Sequence, residues 1–142
     1  MTGEEIIKHF EGLRLKAYLC PAGIPTIGWG HTKGVKLGAT CTPEQAQEWF
    51  LEDYNLARRV VLRHVETKLS ENQIQALTSW VFNLGEGNFT VSTLLKKLNT
   101  GDIEGASKEI LKWNKGRVNG VLQVLPGLDR RRIMERQLFD TP

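Results

Sequence analysis

Residues 11–32 read Glu11-Gly-Leu-Arg-Leu-Lys-Ala-Tyr-Leu-Cys20-Pro-Ala-Gly-Ile-Pro-Thr26-Ile-Gly28-Trp-Gly30-His31-Thr32, and the rest of the chain is best read outward from them. Tyr18, Ile24, Thr26, Ile27 and Trp29 favour strands but are interrupted by Pro21, Gly23, Pro25, Gly28 and Gly30. That pattern predicts a small sheet of two or three short strands joined by tight turns. Just upstream, Ile6, Ile7 and Phe10 recur at helical spacing, with Thr2 as a cap and Gly12 closing the run. Glu11 therefore falls at a helix C-terminus, where the helix dipole is negative and a carboxylate is poorly placed. One acid, one thiol and one hydroxyl (Glu11, Cys20 and Thr26) stand within sixteen residues of glycine-punctuated chain.

Downstream the signals turn helical. Thr42-Pro43-Glu44-Gln45 offers a cap, a proline at the first helical position and a capping-box Gln, followed by Trp49, Phe50, Tyr54, Ala57, Val60 and Val61. A long helix to about residue 64 is predicted. Ser70-Glu-Asn-Gln73 repeats the signature before Ile74, Leu77, Trp80, Val81 and Leu84, with Gly85 as its stop, and this more apolar helix is expected to be central. Ser92 opens a helix towards Gly101, Asp102 caps a segment running through Trp113, and Pro126 precedes a last helix ending near Phe139. Residues 116–127 read as an irregular connection with a short apolar piece, Val121 to Leu125. One helix, a small sheet and five more helices make an α+β, predominantly helical pattern, a small lobe packed against a helical one with a cleft between them. We expect a single domain over residues 1–142, with 12–41 as the β-rich lobe and 1–11 and 42–142 as the helical part.

The whole-chain numbers narrow the function classes. At 142 residues the chain can bury roughly 68–70% of its unfolded surface without a metal or disulfide framework. With 40% hydrophobic and 25% charged residues it is neither disordered nor membrane-spanning in composition, and no apolar run approaches ~18 residues. Its start, Met-Thr-Gly-Glu-Glu, lacks the basic and apolar regions of an export signal. The net charge of +3 suits an anionic partner such as nucleic acid, anionic lipid or an acidic wall polymer, but equally an ordinary surface rich in Lys and Arg. Two cysteines, Cys20 and Cys41, are too few for a disulfide scaffold, and His9, His31 and His64 make no zinc spacing with them. No metal and no cofactor are expected.

Three segments in order carry a resemblance. Glu11-x8-Cys20-x5-Thr26, set in Glu-Gly-Leu-Arg-x3-Tyr and Thr-Ile-Gly-Trp-Gly-His-Thr, resembles the catalytic signature of the phage-type lysozymes (endolysins, glycoside hydrolase family 24). Phe82-Asn83-Leu-Gly-Glu-Gly-Asn-Phe89 with Ser92-Thr-Leu-Leu is similar to the family's central helix and turn, and Pro126-Gly-Leu-Asp-Arg-Arg-Arg-x3-Glu135-Arg to its arginine-rich last helix. The resemblance implies hydrolysis of the β-1,4 bond between N-acetylmuramic acid and N-acetylglucosamine in bacterial peptidoglycan. It assigns Glu11 to protonating the glycosidic oxygen, and Cys20 and Thr26 to the far face of the sugar. It also implies that one of Arg130, Arg131 and Arg132 salt-bridges Glu11; Arg131 fits a helix face with Leu128 and Glu135. Such cleavage passes through an oxocarbenium-like state that needs an acid on the leaving oxygen and a nucleophile or activated water opposite.

Cys20 departs from the family's commoner Asp. Either its thiolate acts as base or nucleophile, with Arg14 and Lys16 as candidates to favour ionisation, or the neutral thiol helps Thr26 position water. Each residue also has a plainer explanation. Glu11 alone would be a solvated helix-end acid, Cys20 a small buried hydrophobe and Thr26 an ordinary strand residue. His31 is expected to support the sheet by a buried hydrogen bond, Gly28 and Gly30 to allow a turn or close approach, Trp49 and Trp80 to be core, and Arg130–Arg132 to form mainly a solvated basic face. A disulfide between Cys41 and Cys20, masking the site, is a further idea.

The expected protein is thus an endolysin: a monomer made in the host cytoplasm, released through a holin, and acting on peptidoglycan in the periplasm or wall. No nucleic-acid partner and no stable membrane insertion are expected, although a signal-anchor ahead of the chain is a recognised variation among such enzymes. The alternatives are a catalytically silent peptidoglycan-binding module and, more weakly, a basic DNA-binding domain.

Overall fold

The computed structural model describes all 142 residues. The elements run α1 (Gly3–Glu11), β1 (Arg14–Leu19), β2 (Pro25–Gly28), α2 (Pro43–His64), α3 (Glu71–Thr90), α4 (Thr93–Asn99), α5 (Ile103–Ile110), β3 (Lys115–Val118), β4 (Val121–Val124) and α6 (Pro126–Phe139). Caps set most helix starts. Thr2 and Ser70 form reciprocal capping boxes with Glu5 and Gln73, whereas Thr42 accepts from Gln45 N at 3.1 Å without a return bond from the Gln45 side chain. Ser92 and Asp102 cap α4 and α5 in the same way.

Helix α3 lies at the centre, packed against α1, α2, α4 and α6. Its Ala76, Leu77 and Trp80 are fully buried and join Val61, Phe89, Leu94, Leu98 and Ile110 in the main core. Each such large apolar side chain contributes roughly 1.5–3 kcal/mol through removal from water. A second cluster, Ile7, Phe50 and Tyr54, joins α1 to α2.

Three expectations are corrected, and the small first sheet is found as expected. The chain leaves helical geometry at Gly85 (φ 87°, ψ 163°) but then resumes, so α3 kinks there and ends at Thr90. Helix α5 stops at Ile110, short of Trp113, because the bonds Leu111 N to Lys108 O and Lys112 N to Glu109 O span three residues and tighten the last turn. Residues 116–127 are not irregular: β3 and β4 pair antiparallel from Lys115–Val124 to Val118–Val121. The signal was the dipeptide Asn119-Gly120, whose φ values of 52° and 79° suit the two-residue turn that matches strand twist. The first sheet has two strands, with Tyr18 opposite Thr26, and the segments after it add only isolated bridges, Ile27 to His31 and Lys16 to Thr40. Strand β2 packs on α2.

Candidate active site

Glu11 is the last residue of α1, which ends as Gly12 caps it and donates its N–H to Lys8 O at 3.0 Å. The carboxyl group lies directly over the backbone of Gly30. A Cβ on Gly30 would stand 2.9 Å from Glu11 Cδ and 3.0 Å from Oε2, and Gly30 has a φ of +83°. Close approach and left-handed backbone both call for glycine here. Of the two roles expected for this residue, the structure supplies both.

Arg131 reaches the same carboxylate from α6, its Nη1 3.4 Å from Glu11 Oε2. It is held from behind. Its Nη2 donates to Ser79 O at 3.2 Å and its Nε to Glu135 Oε2 at 3.3 Å, while Ser79 Oγ donates to Glu135 Oε2 at 2.6 Å. Arg132 donates through Nη2 to Asn83 Oδ1 at 2.9 Å and to Glu135 Oε2 at 3.1 Å. Its Nε sits 2.7 Å from Glu135 Oε1 as a charge contact. Arg131, Arg132 and Glu135 are 3%, 0% and 0% exposed, and burial pushes the Arg132 guanidinium down to about 10. The expected solvated basic face is therefore overturned for two of the three arginines; only Arg130 is exposed. The reason is Glu135, three and four residues along the helix, which supplies a carboxylate to both.

Tyr18, Cys20 and Thr26 lie together on the first hairpin. Tyr18 pairs with Thr26 across the sheet and Cys20 follows two residues after Tyr18, so the three share one face of the hairpin. The Tyr18 phenol is pushed up first by burial and then by the charge of Glu11, with Cys20 acting in the same direction, so one ring lies within electrostatic reach of both. Thr26 is buried and its hydroxyl donates to Ile24 O at 2.9 Å. Cys20 is half-buried, and backbone amides of its turn, Ile24 foremost, hold its thiol below the ordinary range against burial. The leading causes are the turn's own hydrogen bonds and not Arg14 or Lys16; Arg14 lies 4.9 Å over the Tyr18 ring.

His31 is buried, with Nδ1 2.7 Å from Asp53 Oδ2 and its ring stacked on Trp49 at 4.7 Å. It also exchanges backbone bonds of 2.9 Å with Ile27, so it ties the turn carrying Gly30 to α2. Trp80 is core as expected, whereas Trp49 is only half-buried. Asp53, Ser79 and the part played by Tyr18 were missed from sequence, since nothing local distinguishes them. Cys41 N donates to Leu15 O at 2.9 Å, five residues before Cys20 on an extended strand, which separates the two thiols by roughly 15 Å. A bridge needs Cα atoms within about 7 Å, so the Cys20–Cys41 disulfide is excluded in this fold; both cysteines are free. No three His, Cys, Asp or Glu residues come together as a metal site. No helix is long and apolar enough to cross a membrane.

Residues 8–135 match the family described as phage lysozyme. The chain belongs to the phage lysozyme family. The endolysin of Acyrthosiphon pisum secondary endosymbiont phage 1 is 48% identical over 139 residues, covering 98% of this chain and 95% of its own. The endolysin of Salmonella phage P22 is 40% identical, covering 94% and 91%. Among solved structures, the muramidase domain of SpmX from Asticaccaulis excentricus matches with a TM-score of 0.90 at 39% identity, over 99% of this chain and 95% of that one. This lysozyme is accordingly a hydrolase of the muramidase type, with the lysozyme-like α+β fold.

The seat of Glu11 in this lysozyme makes a sharp prediction. Gly30→Ala should lower peptidoglycan clearance about 100-fold by displacing the carboxyl group. It should also cost about 1–2 kcal/mol from the left-handed backbone. Gly34→Ala, at φ +69° with open space around it, carries only the backbone cost. Equal activity losses in the two variants would show that contact with Glu11 is not what matters.

Proposed function

We propose that this lysozyme hydrolyses the β-1,4 bond between N-acetylmuramic acid and N-acetylglucosamine in bacterial peptidoglycan, with Glu11 as the general acid. The observation that carries the reading is the Glu11 carboxyl group seated on Gly30 and fronted by Arg131 Nη1 at 3.4 Å. Glu11 protonates the glycosidic oxygen as the C–O bond breaks, water attacks the anomeric carbon from the opposite face and gives up one proton to solvent, and Glu11 takes back a proton from solvent. Cys20 and Thr26 hold that water. Because the Thr26 hydroxyl proton is committed to Ile24 O, its oxygen is left to accept a hydrogen bond from water. The reaction inverts the anomeric centre. Synthesis in the host cytoplasm, release through a holin and action as a monomer on the wall belong to the same reading.

The test is digestion of purified peptidoglycan with analysis of the new reducing ends and their anomer. N-acetylmuramic acid reducing ends, inverted, are expected. Reducing N-acetylglucosamine would overturn the bond assignment, and binding without cleavage would point to a silent binding module. In the same assay Cys20→Ser should keep its rate within about tenfold, because a lost base costs 10²- to 10⁴-fold. A required thiolate would instead abolish the Ser variant and give the parent a rate that climbs with pH through a midpoint below the ordinary thiol range, the direction in which the turn moves Cys20.

A further inference from the structure

The β3–β4 hairpin takes no part in the site described above. None of residues 114–125 lines the groove between the lobes, and neither strand packs extensively on any element but its partner strand. The hairpin is held at its base. Leu125 N donates to Asn114 O at 3.0 Å, Asn114 Nδ2 donates to Asp129 Oδ1 at 2.9 Å, and the Leu125 side chain covers Gly116 so closely that a Cβ there would meet its Cδ1 at 2.5 Å. At the other end Arg117 Nη1 donates to Gly120 O across the turn at 3.2 Å. Between base and turn both faces stand in solvent. Val118, Val121, Leu122 and Val124 are 41%, 62%, 57% and 49% exposed. The register sets Arg117 opposite Leu122 and Lys115 opposite Val124, so one face alternates two cations with two aliphatic side chains, while Val118 and Val121 share the other. Residues 114–125 contain no Asp or Glu. A lone two-stranded hairpin is marginal in water, and a contiguous exposed apolar cluster marks a surface that meets another phase.

We propose that the β3–β4 hairpin docks the protein on an anionic lipid bilayer, with Val118, Val121, Leu122 and Val124 entering the boundary between headgroups and acyl chains and with Lys115 and Arg117 meeting the lipid phosphates. Aliphatic side chains and cations on one ribbon suit a surface in which an apolar phase lies directly beneath a layer of negative charge. A nucleic acid or a glycan supplies phosphates, carboxylates or hydroxyls but leaves the four aliphatic side chains in water. A second copy paired hairpin to hairpin sets Lys115 and Arg117 against their like, which repels. The protein rests on the bilayer and does not span it, since no helix is long and apolar enough to cross.

The experiment is co-sedimentation with large vesicles of phosphatidylcholine alone and of phosphatidylcholine and phosphatidylglycerol in equal parts. The parent should partition onto the anionic vesicles about tenfold more strongly than onto the neutral ones, and high salt should release it. The double variants Val121→Ser, Leu122→Ser and Lys115→Gln, Arg117→Gln should each lose roughly tenfold in partition onto the anionic vesicles. Every altered side chain is exposed, so thermal unfolding should match the parent. The double variant Lys36→Gln, Lys68→Gln removes the same charge from exposed lysines in the loops before α2 and α3, and should stay within about twofold of the parent. Equal partition of the parent onto neutral and anionic vesicles, hairpin variants that bind like the parent, or an equal loss in the Lys36, Lys68 variant would overturn the proposal. Hairpin variants that lose sedimentation with purified peptidoglycan but keep it with vesicles would make the hairpin a glycan-holding element and remove the lipid assignment. Vesicle binding needs no turnover, so a failure of the catalytic reading leaves this result standing.

Discussion

Glu11→Gln is expected to fold normally and to clear a peptidoglycan suspension about 10²- to 10⁴-fold more slowly than the parent. The glutamine amide keeps the shape that rests on Gly30, which leaves no room there for a side chain, but it has no proton to give a leaving oxygen. Arg131 sharpens the expectation, because its guanidinium at 3.4 Å holds the group in one orientation. Turbidity of purified peptidoglycan measures the rate, and thermal unfolding confirms an intact fold. A variant retaining more than a tenth of the parental rate would remove Glu11 from the acid's role.

The second large effect belongs to Glu135. Glu135→Gln leaves two guanidinium groups, 3% and 0% exposed, without the carboxylate they share. Breaking a buried ion network by removing one partner costs about 3–5 kcal/mol. For a chain of this size that lowers Tm by roughly 10 °C. Activity should fall further than stability explains at a temperature where the variant is folded, since Arg131 loses the Nε contact that aims it at Glu11. Adding Arg132→Met to Glu135→Gln removes one of the uncompensated charges and should recover part of the lost Tm. A Tm within 2 °C of the parent for Glu135→Gln, measured by calorimetry, would mean that solvent reaches the cluster and that the network is not a closed one.

Helix starts were legible wherever the cause is local. Thr2, Thr42, Ser70, Ser92 and Asp102 each satisfy an N–H three residues on, and that chemistry needs no distant partner. The same holds for the strand–turn character of residues 14–28. Helix ends were less legible: Gly85 leaves helical geometry as a stop does, yet a further helical stretch carrying the buried Phe89 follows it directly, to Thr90. The β3–β4 hairpin carried a local signal in Asn119-Gly120 that went unread, because the exposed strand Val121–Val124 shows no alternation to draw attention to it.

Order and spacing along the chain were enough to bring Glu11, Cys20 and Thr26 under suspicion and to place the chain among lysozyme-like folds, since caps, breakers and hydrophobic periods act over a few residues. The tertiary structure alone decided what surrounds them: Gly30 beneath the Glu11 carboxyl, Arg131 in front of it from 120 residues away, and Ser79 and Glu135 behind that arginine. It also turned two of three consecutive arginines inward and set Cys41 too far from Cys20 to bridge. Burial and long-range electrostatics depend on which faces of distant helices meet, and no local pattern encodes which guanidinium will find a carboxylate in the interior.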